Sequence, residues 1–271
     1  MPEKRVSSPV AGIRGRLFAA AMLSVVALFV GGLLVLISAD VWYIDLGAAR
    51  EILRSPDIRA ALWLSLWTSI VTVVIGLLFA IPMGYALSRF RFPGYAVVNS
   101  FVDLPIVLPP LIVGLSLLVF FQTAAGRWVE STGLDFVYQR KGIVLCQFLA
   151  SASFGIRAAK LAFDGVDPRI EQVALTLGCT RTEAFFRVAL PLARGGIVAG
   201  GILIWARAFG IFGPIMIFVG AVRRRTEVLP TTIYLEQSVG RIEVALAVAL
   251  LMLVLAAGAL IVIRLALGER V

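Results

Sequence analysis

An all-α, polytopic integral membrane protein with six transmembrane helices and one helix-turn-helix loop outside the lipid is expected from this 271-residue chain. The composition is 60% hydrophobic and only 15% charged, with a mean hydropathy of +0.98, whereas soluble domains carry about a quarter charged residues. Uncharged apolar runs recur along the chain at lengths near or above the ~20 residues that cross a hydrocarbon core of about 30 Å. The longest polar interruption, Asp167 to Leu192, reads as two short helices joined at a glycine.

Residues 1–16 are polar and basic, with Lys4, Arg5, Arg14 and Arg16 ahead of the uncharged run Leu17 to Ala39, the first span. A secretory leader has an apolar region of about 7–15 residues before a small-residue cleavage site. This run is longer and has no convincing site of that kind, so the segment is expected to stay attached. Residues 40–59 form an external segment of mixed charge, with a short interfacial helix over Ala48 to Leu53. The second span, 60–88, is longer than the hydrocarbon core requires and must tilt or protrude. Pro82 and Gly84 mark an expected kink near its inner end, before the tight basic turn Arg89 to Gly94.

The third span, 101–121, begins with DLPIVLPPLIVG, where Pro105, Pro109 and Pro110 rule out a regular helix and neighbouring helices must satisfy the freed carbonyls. A broken helix in lipid commonly lines a cavity, which makes Pro109 and Pro110 candidates for a pathway lining. After an external loop, 122–141, the fourth span covers 142–163, with Arg157 and Lys160 expected to snorkel at its inner end. The fifth, 193–220, opens with the small residues Gly196, Gly200 and Gly201, which allow close approach of another helix. It contains Arg207 and is broken at Gly210, Gly213 and Pro214. An external segment from Arg223 to about Arg241 precedes an uninterrupted sixth span, 242–264, and a short tail, 266–271. Arginine and lysine are in excess on the side holding both termini and the Asp167 to Leu192 loop, so the positive-inside bias puts all three in the cytoplasm.

Within that loop, residues 164–192, Asp167 is placed to cap a helix that starts at Pro168, where a missing amide hydrogen costs nothing. Ile170, Val173, Ala174 and Leu177 follow at helical spacing as one apolar stripe. Gly178 can end the helix in the left-handed conformation. Thr180 and Glu183 have the spacing of a capping box, starting a second short helix that carries Phe185, Phe186 and Val188 towards Leu190 and Pro191.

This pattern resembles the loop signature of bacterial ABC importer permeases: E-A-A, three residues, G, nine residues, I, any residue, L-P. Ala174, Gly178, Leu190 and Pro191 match in register, while Gln172, Val173 and Val188 depart from it and Glu171 places a carboxylate one position early. The resemblance implies that the loop docks on a separate ATPase through Asp167, Glu171, Gln172, Ala174, Gly178, Leu190 and Pro191, as the coupling element of a type I importer-like fold. The stretches DLPIVLPPLIVG, ARAFGIFGPIMIFVG and RTEVLPTTIY are further similar to permeases for molybdate, tungstate and sulfate. Arg207, Gly210, Phe212 and Gly213 match that subgroup, and Ile211 departs where an acid is usual. Pro109, Pro110, Arg207, Phe212 and Gly213 are accordingly the candidate translocation pathway.

The function implied is the membrane pathway of an ATP-driven importer for a tetrahedral oxyanion, most consistent with molybdate, tungstate or sulfate. Its implied partners are a second permease subunit as a homodimer, two ABC ATPase subunits that use ATP-Mg, an extracytoplasmic substrate-binding protein and the bacterial inner membrane. The alternatives are a permease for another small solute and a secondary transporter, which would need a buried coupling-ion site. No histidine is present and Cys146 and Cys179 are the only cysteines, so no metal-ligand cluster and no His-activated nucleophile is expected. A membrane hydrolase would have to rely on a Ser/Lys pair, with Lys160 poorly placed at a span end. No G-x-x-x-x-G-K-S/T stretch occurs, so the chain is expected to be a transport subunit without catalytic residues or bound cofactor. The scattered basic residues do not form a nucleic-acid surface.

Overall fold

The structure is a computed structural model that describes residues 13–266. Most of each expected tail, 1–16 and 266–271, falls outside them, and the helices that follow are those of the described residues. Thirteen helices follow one another: α1 (Ile13–Tyr43), α2 (Leu46–Arg54), α3 (Pro56–Arg89), α4 (Tyr95–Val107), α5 (Pro110–Gln122), α6 (Ala124–Ser131), α7 (Arg140–Asp164), α8 (Pro168–Thr176), α9 (Arg181–Ala184), α10 (Leu190–Phe209), α11 (Gly213–Phe218), α12 (Leu229–Ser238) and α13 (Ile242–Ala266). Five of the stretches are long and apolar enough to cross a membrane, and α4 with α5 makes a sixth if the bent pair is one span.

The centre of the bundle is α7, clasped by α3 on one side and α10 on the other. Small residues set these distances. Ile204 of α10, fully buried, fills the space beside Gly76 of α3 and Gly155 of α7. The expected glycine face of the fifth span is used as predicted: Gly196 lies against Ala162, Gly200 against Ala158 and Gly155, and Gly201 against Leu77. Gly84 is the tightest crossing of α3 and α7, where a Cβ would come within 2.8 Å of the Lys160 backbone nitrogen.

A buried polar node holds the same three helices. Thr72 donates to Gln147 Oε1 at 2.9 Å, and Gln147 Nε2 donates to the Ala208 carbonyl at 3.1 Å. That carbonyl lies in the last turn of α10, where the helix stops and the usual amide partner is displaced, so Gln147 completes a broken helix end in an apolar setting. Gln147 is 2% exposed and is the one amide side chain between Gly142 and Ile156, a signal that hydropathy alone does not register.

Four expectations about elements change. The third span is not one helix over 101–121: the chain bends by 109° between α4 and α5, with Leu108 and Pro109 as the elbow. Pro105 does not break α4, which runs through it, because only at Pro109 and Pro110 do two successive amides fall out of the ladder. The helix of the fifth span does not start at residue 193 or run to 220. Helix is continuous from Arg181 to Phe209 and then breaks, with α11 as a separate half-helix. The second loop helix is therefore the tip of this span, joined through a π turn over Phe185–Ala189 in which the Leu190 amide reaches back to the Phe185 carbonyl. Widening the turn there accommodates Pro191, whose ring would clash with a normal α turn.

Residues 40–59 contain α2, capped by Asp45 and seated on the bundle by buried Ile52. α3 runs unbroken through Pro82. The segment 223–241 is a packed element too: α12 buries Leu229, Pro230, Thr231 and Thr232, and the Leu229 amide donates to Ser65 of α3 at 2.8 Å. Beside it, burial pushes the carboxyl of Glu227, 2% exposed, up from the ordinary range, and Glu236 is neutralised by Arg223 at 2.9 Å.

Candidate functional site

Two clusters of predicted residues are brought together, at opposite halves of the molecule's logic. The first is the loop at the α8 end of the bundle. Asp167 accepts from the Arg169 amide at 2.9 Å and caps α8 with Pro168 at its first turn. The helix ends in a Schellman arrangement, in which Cys179 N–H bonds the Ala174 carbonyl at 3.1 Å and Gly178 N–H that of Leu175 at 3.1 Å. Gly178 has φ +94°, the left-handed conformation expected for it. The Thr180 and Glu183 capping box is complete.

The apolar stripe of α8 is not buried by the chain's own fold. Ala174 turns inward at 8% exposure, whereas Ile170, Val173 and Leu177 are 46%, 56% and 80% exposed. The helix thus presents three large aliphatic side chains that the described residues leave uncovered. Gln172 is exposed beside them, Leu190 is half-buried against the Phe163 and Ala189 cluster, and Pro191 is exposed. Glu171 is placed differently from a docking carboxylate. It is buried at 8%, accepting from Arg89 Nε at 2.8 Å and from the Tyr85 hydroxyl at 2.7 Å.

Because the space around Gly178 is open, with no atom within 4 Å of an added Cβ, substitution there is strained only through its backbone angle. Gly178→Val is expected to cost about 1–2 kcal/mol of local stability and to reorient α8. Hydrogen exchange over 168–180 should rise while the bundle is unchanged. Unaltered protection in this segment would show that the turn tolerates a β-branched residue.

The second cluster lies where two helix breaks meet. The backbone of α5 just after Pro110 touches the start of α11: Leu111 Cα lies 3.5 Å from the Cβ position of Gly213, and Gly114 is pressed against Pro214. The Pro109 elbow is exposed, and Phe212, in the break between α10 and α11, packs its ring 5.2 Å from Tyr234. Ile211 is not a lining residue. It is 4% exposed, in a core with Leu64, Leu117 and Ile215.

Arg207 lies one turn before this break, its guanidinium 5.6 Å from the Phe154 ring centroid and its Nε buried without a hydrogen bond. Among the described residues it has neither ion pair nor hydrogen bond. Asp103, a conceivable counter-ion, is taken by Arg157 at 2.5 Å, which also holds Asn99 at 2.7 Å. The nearby Ala208 carbonyl belongs to Gln147. Lys160 likewise pairs with Asp164 at 2.5 Å. Arg207 as a whole is half-buried.

The sequence from residue 72 to 267 matches the model of the binding-protein-dependent transport system inner membrane component family. The chain belongs to this family. It is an ABC importer permease, a polytopic inner-membrane transport protein of a family of transport components and not of enzymes. It is 38% identical over 186 residues to the molybdenum transport system permease protein ModB of Escherichia coli K12, covering 68% of this chain and 81% of that one. It is 40% identical over 173 residues to the molybdate/tungstate transport system permease protein WtpB of Thermococcus kodakarensis, covering 64% and 66%. The sulfate transport system permease protein CysT of Escherichia coli K12 is 30% identical over 188 residues, covering 69% and 68%. In three dimensions the permease superposes on a chain of the bacterial alginate ABC transporter, solved with an alginate-bound periplasmic protein, with a TM-score of 0.73 at 19% identity over 93% of both chains. A chain of the inward-facing MetNI methionine ABC transporter gives 0.60 at 18% identity, covering 76% and 90%. The resemblance to the molybdate, tungstate and sulfate permease subgroup drawn from the sequence therefore holds.

Proposed function

We propose that this permease forms the membrane pathway for a tetrahedral oxyanion, molybdate or tungstate, as one of two identical subunits. ATP is hydrolysed on two partner ATPase subunits, and an external binding protein delivers the anion. Both termini and the α8 loop face the cytoplasm.

The observation that carries this reading is the face of α8 formed by Ile170, Val173 and Leu177, exposed on a rigidly capped helix beside Gln172 and the Gly178 turn. Leaving three aliphatic side chains in water opposes solubility, and an ATPase groove that covers them recovers roughly 25 cal/mol per Å² of apolar area. The substrate class is supported by the named relatives and by Arg207, a permanent cation beside the helix breaks that meets no carboxylate among the described residues.

Ile170→Asp and Val173→Asp each place a charge in that contact. Each is expected to reduce co-purification of the ATPase at least tenfold and to abolish molybdate uptake in proteoliposomes, with the permease still inserted and folded. Full uptake by both variants would refute docking through α8.

A further inference from the structure

We propose that Glu171, Arg89 and Tyr85 form the link through which a movement of α8 is delivered to the transmembrane bundle, with Glu171 acting inward as a positioning residue. This rests on the reading of α8 as the element that meets the ATPase, and it adds the route taken beyond that contact.

Glu171 uses both carboxylate oxygens on α3: Oε1 accepts from Arg89 Nε at 2.8 Å and Oε2 from the Tyr85 hydroxyl at 2.7 Å. The Arg89 and Glu171 side chains are each only 11% exposed. Arg89 also donates through a second nitrogen to the Val166 carbonyl at 2.8 Å, one residue before the Asp167 cap. One guanidinium therefore grips α8 at two points, the chain entering the helix and its first turn. A rigid fork with several donors transmits displacement in more than one direction, which a single point charge does not.

The link continues into the bundle without a gap. Arg89 donates to Ser88 at 3.0 Å, and Ser88 donates to Asp164 of α7 at 2.6 Å. The Tyr85 ring meets Phe163 edge-on at 5.2 Å and Phe185 at 4.8 Å. α3, α7, α8 and the root of α10 thus converge on two residues of α3, a helix long enough to cross the bilayer by itself. Elsewhere α8 touches the tip of the fifth span and offers an apolar outer face. The outward charge that the family signature places at residue 172 is an amide in this chain, and the carboxylate within α8, Glu171, serves the internal contact.

The test uses the assembled transporter in proteoliposomes, with molybdate as the transported probe and the ratio of anion moved to ATP hydrolysed as the readout. Tyr85→Phe keeps the ring contacts and removes one hydrogen bond; Arg89→Gln removes the ion pair; Arg89→Lys restores the charge but not the fork. We expect the ratio to fall about tenfold in Arg89→Gln and about threefold in Tyr85→Phe, with recovery to an intermediate value in Arg89→Lys and ATPase co-purification retained. A merely structural anchor would lower uptake and hydrolysis in parallel, leaving the ratio unchanged, and that result overturns the proposal. Should Arg89→Gln fail to assemble, an unchanged ratio in Tyr85→Phe overturns it equally. Ile170→Asp in the same preparations separates the two ideas: if it leaves co-purification and uptake intact, docking itself has failed, whereas its loss beside unchanged ratios condemns only the internal link.

Discussion

Gly84→Val is expected to damage the bundle severely. A Cβ at this position would sit 2.7 Å from the Ala159 Cβ, 2.8 Å from the Lys160 backbone nitrogen and 3.0 Å from the Ala159 carbonyl carbon. The clash is with main chain, so no rotamer change relieves it and α3 must move away from α7. Overpacking of this kind costs about 1–3 kcal/mol even where side chains can yield, and here the upper end applies. The apparent Tm in detergent should fall by roughly 5–10 °C, with a matching loss of folded yield. Gly195→Ala is the matched control: no atom lies within 4 Å of its added methyl, and alanine favours the helix, so it should be neutral or slightly stabilising. Equal Tm values for the two variants would contradict the close α3 to α7 crossing.

Arg207→Gln is expected to have the largest effect on transport itself. Placing a guanidinium inside a span costs roughly 2.5–3.5 kcal/mol, and among the described residues Arg207 meets no carboxylate or carbonyl, only the face of Phe154. A hydrogen bond to a charged group contributes about 1.5–3 kcal/mol, so loss of this contact should slow molybdate uptake by roughly 10–100-fold. Arg207→Lys keeps the charge without the bidentate fork and should retain part of the rate. Both variants are expected to assemble with the ATPase and hydrolyse ATP. If both instead fail to assemble, Arg207 is a structural residue packed on Phe154, and uptake equal to the parent protein in Arg207→Gln would remove it from the pathway.

What the sequence determined by itself was local or periodic. Membrane residence and the long spans follow from apolar runs that have no other stable solution in water. The α8 loop was legible residue by residue, because Asp167, Pro168, Gly178, Thr180 and Glu183 act on backbone groups within a few positions of themselves, and each sits in the conformation its chemistry demands. The glycine face of α10 was equally readable, since a missing Cβ has a meaning before its neighbour is known.

Only the tertiary structure decided the pairings. Hydropathy is blind to direction, so it could not show that the stripe of Ile170, Val173 and Leu177 faces outward while Glu171 turns in. Asp103 could have served Arg207 or Arg157, two cations on different helices, and the choice depends on how α4 packs against α7 across more than fifty residues of chain. The prolines announced a break but not its 109° bend, and nothing local said that this elbow would meet the break at Gly210 to Phe212. Caps and turns are set by energies within one helical turn, whereas ion-pair partners and meeting breaks are set by which helix surfaces fit together, and that information exists only once the bundle is packed.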